Sequence, residues 1–105
     1  MKRYADITDS ARADLLEIAE YVANHSPKAA VKLMNDFDRQ FKLLAQQPFS
    51  GRSRNDIFIN LRSWVFRQYV VFYVPSDDKI EIWHVLHSSR DIDGIIQRYF
   101  DSLSH

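Results

Sequence analysis

Pro48-Phe49-Ser50-Gly51-Arg52, then Asn60-Leu61-Arg62, then Tyr69-Val70-Val71-Phe72-Tyr73-Val74, then Ile80-Glu81-Ile82-Trp83-His84-Val85-Leu86-His87 and Ser88-Ser89-Arg90-Asp91 form the stretch that decides the fold. Pro48 stops whatever helix precedes it, and Gly51 permits a tight turn. The runs behind that turn are rich in Ile, Val, Phe, Tyr and Trp, which favours strands. The pattern predicts strands over residues 57–65, 67–74 and 79–86. The second is apolar on both faces from Tyr69 onward, as a central strand would be. Pro75-Ser76-Asp77-Asp78 is a turn, so the last two strands form a hairpin.

Upstream of Pro48 the period changes. Residues 4–8 alternate and predict a short strand. Thr8, Asp9 and Ser10 then offer N-cap oxygens. Ala11, Leu15, Ile18, Ala19 and Val22 recur at helical spacing, predicting a helix to about Asn24 with Asp14, Glu17 and Glu20 towards water. Ser26 and Pro27 open a second helix as cap and first residue. Ala30, Leu33, Met34, Phe37, Phe41, Leu44 and Ala45 share one side of it. Two helices joined this tightly make an antiparallel hairpin, and each needs a flat apolar partner. Downstream, Ser88 or Ser89 is expected to cap a last helix, with Ile92, Ile95, Ile96, Tyr99 and Leu103 on one face. Gly94 weakens that helix by about 1 kcal/mol relative to alanine. The fold class is therefore α+β: an N-terminal strand, a helical hairpin on a small, mainly antiparallel sheet, and a C-terminal helix.

The composition bounds the chemistry. The chain has 105 residues, read as one domain over residues 1–105, with 46% hydrophobic residues and no cysteine. A disulfide scaffold, a thiolate metal site and a cysteine nucleophile are excluded. No run approaches the roughly 20 apolar residues of a membrane span. No apolar signal core follows the first charges, so the expected compartment is the cytoplasm, with no membrane partner. Fourteen basic and fourteen acidic residues give zero net charge, which gives no global argument for nucleic acid. Locally, Arg52, Arg54, Arg62 and Arg67 stand against Asp56 alone between residues 50 and 70, so either a basic patch or a guarded sheet edge lies there.

His84 and His87 are three apart in a strand and point to opposite faces, so no shared metal is expected. Ser88 and Ser89 lack a nucleophile's partners and read as helix caps. No glycine-rich phosphate loop is present, and no cofactor is expected. His87, Arg90 and Arg62 are the best candidates, because strand ends let charged groups reach a ligand. Histidine suits a general base near neutral pH, and arginine suits a developing phosphate charge. The alternative reading has His87 bonded to backbone and Arg90 paired with Asp91, Asp93 or a helix terminus.

Taken together, several pieces resemble the RelE/ParE superfamily of toxins from type II toxin–antitoxin systems. They are the helix pattern Ala13–Tyr21, the turn Leu43-Leu44-Ala45-Gln46-Gln47-Pro48-Phe49-Ser50-Gly51-Arg52, Leu61-Arg62, Tyr69–Tyr73 and the ending Val85-Leu86-His87-Ser88-Ser89-Arg90-Asp91. The resemblance covers about 90 residues and is closer to the ParE branch. It implies the fold already read, and a cognate antitoxin that wraps a flexible segment where the hairpin meets the sheet. It implies DNA gyrase as the target of a toxin that is not an enzyme, with Arg62, Arg67, His87, Arg90 and the C-terminal helix as contacts. RelE-like relatives instead cut messenger RNA on the ribosome. In that case Arg62, His87, Arg90 and Tyr99 would supply parts of the catalytic set, His87 as acid/base and Arg62 or Arg90 on the scissile phosphate, without a lysine cluster behind them. The third reading is an inactive antitoxin-binding module. Ribosome-cutting members tend to be strongly basic, and neutrality weighs against that branch.

Overall fold

The computed structural model describes residues 3–103; the ends of the domain expected over 1–105 lie outside them. Strand β1 (Tyr4–Ile7) leads into helix α1 (Asp9–Ala23) and helix α2 (Pro27–Gln46). Strands β2 (Arg52–Ser53), β3 (Arg62–Phe66), β4 (Tyr69–Pro75) and β5 (Lys79–His87) follow, and helix α3 (Ile92–Leu103) ends the described chain. The strands make one sheet in the order β1-β5-β4-β3-β2. Only β1 runs parallel to its neighbour.

The local signals explain the helices. Thr8 Oγ1 accepts the Ala11 amide at 3.3 Å, and Ser26 Oγ accepts the Ala29 amide at 3.1 Å, with Pro27 starting α2. Each cap satisfies a donor that the first helical turn leaves orphaned. The hairpin covers one face of the sheet, where Leu33, Phe37, Phe41 and Leu44 meet Tyr69, Val71, Tyr73, Ile80, Ile82 and Val85. On the opposite face α3 lays Ile96 and Phe100 against Leu61, Phe72 and Leu86. The sheet is thus buried on both sides, which is why β4 reads apolar throughout.

A register irregularity falls between Phe72 and Tyr73, which pair with His84 and Ile82. The extra residue reverses the alternation along β5. Ile80, Ile82 and Val85 therefore share the hairpin face, while Trp83 and Leu86 pack on the α3 side. The irregularity lies where β1 stops pairing, at Ile82.

Several sequence expectations need correction. Residues 57–61 are not strand: β3 begins at Arg62. Asn60 sits in the left-handed region at φ 66°, and its amide is held at 2.7 Å by Asn55 Oδ1. Asparagines favour such turns, and Ile57, Phe58 and Leu61 reach the second core from a loop. Arg67 is also outside the strands. It occupies the β3–β4 turn at φ 54°, because Phe66 pairs with Tyr69 and leaves two residues to reverse the chain. The last helix is capped by Asp91, whose carboxylate accepts the Gly94 amide at 3.3 Å, and not by Ser88 or Ser89. A Cβ on Gly94 would lie 2.2 Å from that carboxylate, so the glycine makes room for the cap. Asp14 does not face water. It accepts from His84 Nδ1 at 2.6 Å and from the Val85 amide at 2.9 Å, sealing the edge of β5 beyond β1.

Candidate functional site

The four sequence-selected residues fall into three places. Arg62 opens β3 beside the Pro48–Gly51 turn. Its guanidinium donates to Gly51 O at 2.7 Å and Phe49 O at 3.2 Å, and lies 5.1 Å from the Phe49 ring centroid. Arg3 approaches the same exposed ring from 5.7 Å. A cavity of about 240 Å³ between them is also lined by Asn55, Asn60 and Asp77. Carbonyl contacts commit part of Arg62 to holding the turn.

That turn is built around Tyr73. Its buried hydroxyl donates to Pro48 O at 2.8 Å and accepts from the Gly51 amide at 2.9 Å. Burial pushes the Tyr73 phenol above its ordinary value, against the pull of the Gly51 amide and Arg62.

Arg67 lies at the other end of β3, over the Phe66 ring, and donates to Asp36 Oδ2 at 2.5 Å. Asp36 on α2 also binds Lys32 at 3.3 Å and Arg39 at 2.7 Å. Burial alone would raise the Asp36 carboxyl, but Arg67 and Lys32 outweigh it and hold it below the ordinary carboxylate value. The sequence reading missed this carboxylate. Its signal was an acid beside the apolar stripe of α2, with cations four residues before and three after.

His87 and Arg90 share a cleft of about 400 Å³ between α1 and the ends of β4 and β5. Asp14, Glu17, Tyr21, Tyr69 and Ser89 line it as well. The His87 ring stands edge-on to Tyr69 at 5.5 Å, and its Nδ1 is 2.7 Å from Ser89 Oγ. The Ser89 amide donates to the same nitrogen at 3.0 Å, so Nδ1 is the acceptor and Nε2 is the face the ring can offer. Burial raises the Tyr69 phenol, with Arg67 opposing. Arg90 is exposed, and no ion pair engages it among the described residues. The alternative pairing of Arg90 with Asp91 or Asp93 is absent among the described residues; Asp93 binds Arg54 at 3.2 Å instead.

Arg62 is not part of that cleft. It pairs with Tyr73, whereas His87 pairs with Tyr69, four residues along β4. At about 3.4 Å per residue the two sites are on the order of 14 Å apart along the strand. His84 serves elsewhere, between Asp14 and the perpendicular Tyr99 ring 4.4 Å away. Tyr99 thus packs at the α3 side, apart from both arginine sites.

A third concavity, of about 540 Å³, runs between β1 and α2 and is lined by Tyr4, Ala5, Ile7, Phe41, Ala45 and charged rim residues. β1 is an edge strand, so its outer backbone groups face this side unpaired with any other strand.

Residues 5–92 match the family model described as the ParE toxin of type II toxin–antitoxin systems, parDE. The match ends where α3 begins. A solved structure described as the chromosomal ParDE toxin–antitoxin system from P. aeruginosa superposes with a TM-score of 0.68 at 24% identity. It covers 82% of this chain and 96% of that one, a likeness of fold. No curated protein sequence matches the chain.

Proposed function

The chain belongs to the ParE toxin family of type II toxin–antitoxin systems, and from that premise we propose that it binds DNA gyrase, holds it in a DNA-damaging state and is neutralised by a cognate antitoxin. The match of residues 5–92 to the ParE toxin family favours this target, and zero net charge weighs the same way, since an enzyme that cuts a polyanion gains from a basic surface. Arg62 lies outside the cleft at His87, which leaves Arg90 as the one arginine there among the described residues for the ribonuclease alternative. The gyrase-contacting face is the rim of the cleft at His87 and Arg90, extended by the turn at Arg67. Arg62 supports the Pro48–Gly51 turn. The antitoxin adds an extended segment along β1 and fills the groove against α2, where edge backbone groups give affinity and apolar side chains give register.

Pulse labelling minutes after induction without antitoxin tests this. DNA synthesis is expected to fall while translation continues, and the purified chain is expected to yield gyrase-dependent double-strand breaks. An immediate arrest of translation would overturn the proposal in favour of ribosome-dependent cleavage. No effect on either, with folded protein accumulating, would leave an inactive antitoxin-binding module. His87→Gln with Arg90→Ala should abolish toxicity and spare antitoxin binding; unchanged killing would reject this contact face.

A further inference from the structure

Lys28, Lys32, Asn35 and Arg39 follow one another at i, i+4, i+7 and i+11, a single stripe along α2 about 17 Å long. They line one open concavity with Asp36 and Val31. Asp36 is the only acid in that lining, and it binds three cations at once: Lys32, Arg39 and, from the β3–β4 turn, Arg67. One cation would balance it. The Lys32 and Arg39 side chains remain 72% and 74% exposed, so these contacts add little stability and leave most of their donors facing solvent. The chain is neutral overall, yet here four cations surround one acid.

We propose that this face of α2 is a landing site for the phosphate backbone of duplex DNA. Phosphate recognition asks only for positioned cations and hydrogen-bond donors, which the stripe supplies. An acidic protein partner would also need apolar anchors, and Val31 is the only apolar residue in the lining. Asp36 acts as the organiser: nearly withdrawn from solvent, it gathers Arg39 and Arg67 to one place. The site shares Arg67 with the proposed gyrase face, but Lys28, Lys32 and Arg39 lie outside the cleft at His87 and Arg90 and are tested without gyrase, so the inference does not depend on gyrase being the target.

The test uses the full chain and a fluorescent 20-base-pair duplex, with no gyrase present. Anisotropy titrations from about 50 to 200 mM salt are expected to give a log–log slope of about −2.7, three phosphates at −0.9 each. The variant Lys28→Gln/Lys32→Gln/Arg39→Gln keeps Arg67 on Asp36. It should lose at least about tenfold in affinity at the low-salt end and most of the slope. Acetylation of the unmutated chain gives a second readout: the duplex should protect Lys28 and Lys32 but not Lys79, which is paired with Asp6 on the β1–β5 edge. Absence of binding, a variant that binds like the parent, or equal protection of all three lysines would overturn the proposal. So would tighter binding of a polyglutamate peptide than of duplex at equal charge, which would identify a protein partner instead.

Discussion

Replacing Tyr73 by phenylalanine removes one oxygen and leaves the ring packed where it is, fully buried. That oxygen holds Pro48 O at 2.8 Å and the Gly51 amide at 2.9 Å. Pro48 and Gly51 are themselves buried, so both groups would be left without a partner. Each orphaned backbone group costs about 1–3 kcal/mol, so the substitution should destabilise by about 2–6 kcal/mol. Against a total stability of about 5–15 kcal/mol this is a large share. Each kcal/mol lowers the Tm of a domain this size by about 4–8 °C, so even the lower bound predicts a fall of about 8–16 °C. Urea unfolding followed by circular dichroism should show the midpoint drop at unchanged slope, the mark of a stability change. Gly51→Ala probes the same joint, since its Cβ would lie 2.5 Å from the Tyr73 hydroxyl and 2.8 Å from Ser63 O. In the Tyr73→Phe background the hydroxyl clash is gone while the ring carbon at 2.8 Å stays, so Gly51→Ala should cost somewhat less there than alone. A loss below about 0.5 kcal/mol for Tyr73→Phe, or strict additivity of the pair, would show that the hydroxyl does not hold this turn.

Asp14→Ala orphans the Val85 amide and the His84 ring together, and should cost about 1–3 kcal/mol by chemical denaturation; no change would show that edge to be hydrated. Phe100→Ala should cost about 3–5 kcal/mol if α3 is part of the cooperative core, whereas an unchanged unfolding midpoint would mean α3 opens on its own. Asp36 titrates below its ordinary 3.8 in the fold, so its contribution is complete above that value and is lost as the pH falls through the folded value. An acid titration of stability should therefore lose part of its slope below pH 3.8 when Asp36 is replaced by asparagine; an identical profile would remove Asp36 from the account.

The elements that rest on local physics are legible along the chain. Thr8, Ser26 and Pro27 fix the helix starts, and Pro48 fixes the end of α2, because caps and prolines act on neighbouring backbone groups alone. The two periods, helical before Pro48 and strand-like after it, fixed the α+β class. The resemblance to ParE-like toxins was legible from residues in order along the chain. Other features depend on contacts between segments far apart in the chain, which no local pattern encodes. Residues 57–61 have strand composition yet form a loop, since Asn60 closes a turn on Asn55 and the apolar side chains find the second core without a pleat. Asp14 has the spacing of a solvent-facing acid, but β1 ends at Ile82 and leaves β5 an edge that needs an acceptor. Arg62 and His87, 25 positions apart in the chain, looked equally suited to one site. Strand register sets them at opposite ends of the sheet, and register depends on how many residues each turn consumes, which pairing across the whole sheet settles.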